Sequence, residues 1–103
     1  MINNLDKVDI PLKLVKELEL IFSSFEEIEK VILFGSRARR DNKDYSDVDL
    51  AIYGLGKNNE WKFNDMIDNI NTLYSFDIIF ISSDTSENLL DQIKKDGCII
   101  YER

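Results

Sequence analysis

Apolar positions change their period several times along this chain, and each change marks an element. After Pro11, the residues Leu14, Val15, Leu18, Ile21, Phe22 and Phe25 recur at helical spacing. They predict an amphipathic helix over about residues 11–25, with proline where a first turn tolerates a missing N–H. Lys30-Val31-Ile32-Leu33-Phe34 is short and rich in β-branched residues, the pattern of a buried strand ending at Gly35. Ser36 to Arg40 reads as a short helical start, and Asn42 to Ser46 as a polar loop. Asp47 to Tyr53 alternates, with Val48, Leu50 and Ile52 on one face and Asp47, Asp49 and Ala51 on the other. A turn at Gly54 to Asn59 leads into a second amphipathic helix carrying Phe63, Met66, Ile67, Ile70, Leu73 and Tyr74. Phe76 to Ile81 is a strand with one acid, Asp77, inside it. Asp84 and Glu87 resemble a capping pair for a third helix that buries Leu89, Leu90 and Ile93 and stops at Gly97. Cys98 to Tyr101 closes the chain as a last strand. Alternating helices and strands predict an α/β arrangement layered around a small sheet. The single proline and the absence of any linker or repeat predict one domain over residues 1–103.

Composition then narrows the chemistry. Thirteen Lys+Arg against twenty Asp+Glu give a net charge of −7, which excludes a basic protein that coats nucleic acid. The chain has no histidine, so every mechanism needing an imidazole base, nucleophile or metal ligand is excluded. One cysteine, Cys98, excludes an internal disulfide framework and a Cys-rich zinc site. What remains is carboxylates, hydroxyls, Arg/Lys and a hard metal ion. Residues Met1 to Asp6 lack a secretory pattern, and no run spans a bilayer, so a cytoplasmic location is expected. Cys98 is expected to be a buried strand residue, and Trp61 to pack at its helix start or at an interface.

Three features carry the candidate chemistry. The strand-to-helix junction Phe34-Gly35-Ser36-Arg37 combines a sharp glycine bend with free N–H groups and a hydroxyl, which suits phosphate but is equally the pattern of a plain turn. Asp47 and Asp49, two apart on a strand, put both carboxylates on one face about 7 Å apart at Cα. Such a pair can converge on Mg²⁺, although with this many aspartates most such pairs simply face water. Asp77 sits inside an apolar run, where partial burial is expected, relieved by a metal, a cation or a strand-edge position. Three of the four arginines, Arg37, Arg39 and Arg40, crowd the Gly-Ser turn. Guanidinium matches phosphate bidentately, and the plainer role is to offset Asp41 and Asp44.

Gly35-Ser36, ten intervening residues, then Asp47-Val48-Asp49 resembles the signature of the nucleotidyltransferase superfamily that includes DNA polymerase β. Leu33-Phe34-Gly35-Ser36-Arg37-Ala38-Arg39 with Tyr45-Ser46-Asp47-Val48-Asp49-Leu50 is similar to the minimal nucleotidyltransferases of bacteria and archaea. That resemblance covers almost the whole chain. Chance supplies the core spacing in only about a few in a thousand chains of this length. One departure is Arg40, where the family usually has glycine after Arg-Ala-Arg.

The resemblance implies a small mixed β-sheet with helices packed on it. It implies that Asp47 and Asp49 bind two Mg²⁺ ions and that Asp77 completes the catalytic metal site. It further implies that Gly35 and Ser36 hold the β- and γ-phosphates of a nucleoside triphosphate, with Arg37 and Arg39 as clamps. The implied reaction moves AMP from ATP to a hydroxyl, with pyrophosphate leaving. Because the chain stops just after its last strand, another molecule is expected to present the acceptor. By resemblance that molecule is a small helical HEPN-type protein, either a toxin or a substrate-binding protein, with this chain as antitoxin. Two alternatives stand beside this: modification of a small hydroxyl compound, and a non-catalytic antitoxin module that works by binding. No membrane and no nucleic-acid template are expected, and a homodimer or hetero-oligomer stays open.

Overall fold

The structure, a computed structural model, describes residues 9–103. The reading of Met1 to Asp6 therefore lies outside the described residues. Four strands form one mixed sheet in the order β3-β2-β1-β4. They are β1 (Lys30–Phe34), β2 (Val48–Tyr53), β3 (Phe76–Phe80) and β4 (Cys98–Glu102). The central β1 runs antiparallel to both β2 and β4, and β2 runs parallel to β3. The end of β1 and the starts of the other three strands therefore share one end of the sheet. That end carries every candidate site residue.

Helices cover the two faces unequally. α1 (Leu12–Ser23) and α3 (Glu60–Asp68) pack on the face formed by Val31, Leu33, Val48, Leu50 and Ile52. Phe22 stacks with Phe63 at 6.2 Å and meets Tyr101 edge-on at 5.5 Å, and Phe63 meets Phe80 at 5.7 Å. Burying each such side chain stabilises the fold by about 1.5–3 kcal/mol. Among the described residues the opposite face has only α4 (Glu87–Asp96), resting on Phe34 and Ala51 through Ile93. The alternation expected in β2 is therefore observed: even residues enter the larger core, odd residues face the thinly covered side. Among the described residues no helix is long and apolar enough to cross a membrane.

Three expectations are corrected. The helix holding Phe63 ends at Asp68, short of Ile70, Leu73 and Tyr74. The run Asn69-Ile70-Asn71-Thr72 competes with the helix for its own hydrogen bonds, and Leu73 is left fully exposed. α4 is capped by Ser86, whose hydroxyl accepts from the Leu89 N–H at 3.2 Å, and not by Asp84. Asp84 instead belongs to a tight turn, its N–H donating to Ser82 Oγ at 3.1 Å. Trp61 opens α3 as anticipated but is 69 % exposed, and Cys98 is only half-buried.

Candidate active site

Gly35 turns the chain from β1 into the four-residue helix α2 (Ser36–Arg39) with φ 76°. That conformation favours glycine, and a second constraint acts here too. A Cβ on Gly35 would overlap Asp49 Oδ2, so the carboxylate lies directly against the bend. Strand pairing places it there, because Asp49 is the cross-strand partner of Phe34. On its other side Asp49 pairs in register with Asp77 of β3. Two of the three expected acids are thus held side by side by the sheet. Asp47 precedes the first residue of β2 and is exposed.

Of the solutions open to Asp77, the structure takes the strand-edge position, with less burial than its apolar neighbours predicted. It is exposed, because β3 is the edge strand and its acid faces the thinly covered side of the sheet. Asp49 is the half-buried member, and its carboxyl is pushed up to about 6. Burial is the largest cause, followed by the negative charges of Asp77 and Asp47 and a hydrogen bond with Asp77; Arg39 acts in the opposite direction. Among the described residues no three acids are already gathered around a common ion position. The donor chemistry nevertheless fits a hard divalent cation. Three carboxylates repel one another, and Asp47, the outlying one, has an exposed side chain with rotamer freedom.

The arginines divide by role. Arg39 is part-exposed, donating to Asp41 and to Asp96, each at 3.0 Å, and these carboxylates raise its pKa further. It remains on the acid side of the sheet, within electrostatic reach of Asp49. Arg37 does not fit the expected phosphate clamp. It is 2 % exposed, and its guanidinium donates to the carbonyls of Ser46 (3.0 Å), Asp9 (3.0 Å) and Asp44 (3.2 Å). Its guanidinium also lies 4.7 Å from the centre of the Tyr74 ring. Arg37 therefore braces the loop that delivers Asp47, tying it to α2 and to the segment before α1. Asn42 adds a bond to Asp9 Oδ2 at 2.7 Å. Residue types alone could not reveal this, since the carbonyls that Arg37 satisfies are common to every sequence.

Arg40 explains the family's usual glycine. It caps α2 in the left-handed region at φ 64°, and its neighbour Asp41 donates its N–H back to the Ser36 carbonyl at 3.1 Å. A non-glycine residue there carries strain. Arg40→Gly is expected to stabilise the protein by about 1 kcal/mol, measured as a higher urea midpoint with an unchanged slope.

The sheet thus lines up paired carboxylates behind a Gly-Ser bend. The chain belongs to the polymerase beta nucleotidyltransferase family, whose model matches residues 16–103. No curated protein is significantly similar in sequence. Solved structures are similar in fold. One is a toxin–antitoxin with AMP-PNP, at 17% identity and TM-score 0.68, covering 86% of this chain and 73% of that chain. Another is the complex of a tri-AMPylated Shewanella oneidensis HEPN toxin with an MNT antitoxin, at 19% identity and TM-score 0.56, covering 88% and 68%. A third chain, from Shewanella oneidensis, gives 16% identity and TM-score 0.62, covering 90% and 74%.

Proposed function

We propose that this nucleotidyltransferase moves AMP from ATP to a hydroxyl of a HEPN-type partner protein and acts as its antitoxin. The observation that carries the reading is the Asp49–Asp77 pair, with Asp49 pressed against the Gly35 bend. A purely structural sheet has no use for like charges in register at its edge, where they oppose each other. The similarity to toxin–antitoxin structures holding AMP-PNP or an AMPylated HEPN toxin supports the choice of nucleotide and acceptor.

Each residue then has a task. Asp47, Asp49 and Asp77 would hold magnesium, which when bound supplies charge neutralisation at the attacking and leaving oxygens. Gly35 and Ser36 receive the β- and γ-phosphates at the bend. Arg39 exchanges its carboxylate partners for phosphate oxygens. Asp77, exposed at the sheet edge, accepts the proton of the acceptor hydroxyl. The acceptor oxygen bonds the α-phosphorus, and the bond from that phosphorus to the pyrophosphate oxygen breaks. Arg37 keeps the Asp47 loop in place throughout.

The test is incubation with α-labelled ATP, Mg²⁺ and the protein encoded beside this chain's gene. Label on the partner is the expected result; label on a small molecule, or tight binding without label, would redirect the assignment. In parallel, Mg²⁺ with ATP is expected to raise the melting temperature, because cations relieve the repulsion among the acids. An unchanged melting curve would count against the site.

A further inference from the structure

Among the described residues, the outer edge of β3 presents a row of backbone groups with no partner. At one end of the β2–β3 pair the Val48 N–H donates to the Ser75 carbonyl at 2.8 Å, and at the other the Ile81 N–H donates to the Ile52 carbonyl at 2.9 Å. With Asp49 in register with Asp77, this phase turns the backbone groups of the odd-numbered residues toward β2. Those of Phe76, Ile78 and Phe80 point outward. β3 is the last strand of the sheet, and among the described residues no backbone group bonds to them. Edge strands are usually blocked by lysine, proline or a bulge. Phe76-Asp77-Ile78-Ile79-Phe80 has neither lysine nor proline, and its pairing with β2 runs without a register shift.

A groove of about 600 Å³ runs beside this edge, between β3 and α3. Ile67, Ile70, Phe76 and Ile78 supply its apolar part, polar groups that include Asn64 and Asp68 on the α3 side make up most of its surface, and no cationic side chain lines it. Phe76 and Ile78 lie on the larger-core face of the sheet, and Asp77 on the other.

Resting on the nucleotidyl-transfer reading, we propose that this edge receives an extended, basic, hydroxyl-bearing segment of the acceptor protein as a fifth strand. Strand alternation then sends every second side chain of that segment into the groove and the others to the face of Asp77. Small apolar side chains cover Phe76 and Ile78 at the groove's β3 wall. A tyrosine, serine or threonine on the other face stands beside Asp77, the group that takes its proton as the oxygen attacks the α-phosphorus and pyrophosphate leaves. Lysine or arginine two residues to either side of it shares its face and complements the acids of the site.

The test uses the full ¹⁵N-labelled chain and a blocked peptide, Lys-Val-Tyr-Val-Lys-Val, as probe. Binding is expected to slow amide exchange at Phe76, Ile78 and Phe80 by about 10-fold or more, leaving Asp77 and Ile79 as they were. Ile78→Pro deletes one outward N–H without touching the β2 ladder. It is expected to abolish that protection and to cut labelling of the acceptor protein about 10-fold, with the Mg²⁺–ATP melting shift retained. Should that variant fail to fold, Phe80→Pro serves the same purpose, and the exchange measurement on the unaltered chain stands alone. Shifts confined to other regions would overturn the proposal. So would protection that appears without peptide and tracks dimerisation in sedimentation, or that vanishes when residues 1–8 are removed. Equal labelling of the acceptor by both chains would overturn the docking edge and leave nucleotidyl transfer standing. Edge protection with no label on any acceptor would do the reverse.

Discussion

Asp49→Asn is expected to abolish nucleotidyl transfer, by at least about 100-fold, while making the metal-free protein more stable at neutral pH. The two effects have one origin. The Asp49 carboxyl is pushed from its ordinary 3.8 to about 6, first by burial and then by the charges of Asp77 and Asp47. Between those two values the folded state holds a proton that the unfolded chain has released. Stability therefore falls as pH rises through that window, and above about 6 the whole penalty is present. Since Asp49 still faces solvent, screening limits the penalty to about 1 kcal/mol. Asparagine keeps the shape and removes the charge. Melting scans of both proteins are expected to converge near pH 4 and to separate above pH 6, the variant melting about 4–8 °C higher. A gap independent of pH, or a variant less stable at pH 7, would contradict this. Mg²⁺ with ATP is expected to reverse the order.

The largest loss of stability is expected at Arg37. Replacing it with alanine strips three carbonyls, those of Asp9, Asp44 and Ser46, of their donor and opens a space beside the Tyr74 ring. Hydrogen bonds from a charged donor are worth about 1.5–3 kcal/mol each, though water can reach part of this site once it opens. A net loss of about 3 kcal/mol follows, or roughly 12–24 °C in melting temperature for a domain this size. Arg39→Ala, by contrast, removes exposed ion pairs and is expected to leave the melting temperature nearly unchanged. Calorimetry on the two variants separates a brace from a surface pair; equal losses would refute the division of roles.

The sheet's central strands are legible because Val31 to Phe34 is a short unbroken apolar run ending at glycine and Val48 to Tyr53 alternates. Asp49 and the Gly35 bend were legible for the same reason: a strand fixes which side chains share a face. The end of α3 was hidden, since Leu73 and Tyr74 keep the helical spacing after the backbone has left the helix. The exposure of Asp77 depended on strand order, which no local pattern encodes. Arg37 was misjudged because clustering near a glycine turn cannot distinguish an arginine facing a ligand from one turned inward onto backbone carbonyls.

One property of the β2–β3 pairing reaches further. Asp49 and Asp77 are neighbours across a parallel ladder, so the gap between their backbones is the ordinary interstrand distance of about 4.8 Å. The crossover joining them, from Gly54 to Ser75, contributes nothing to that spacing. Within it α3 is anchored in the core by Phe63 and Ile67, so length can vary only in its exposed turns, where catalytic geometry and loop diversification are uncoupled.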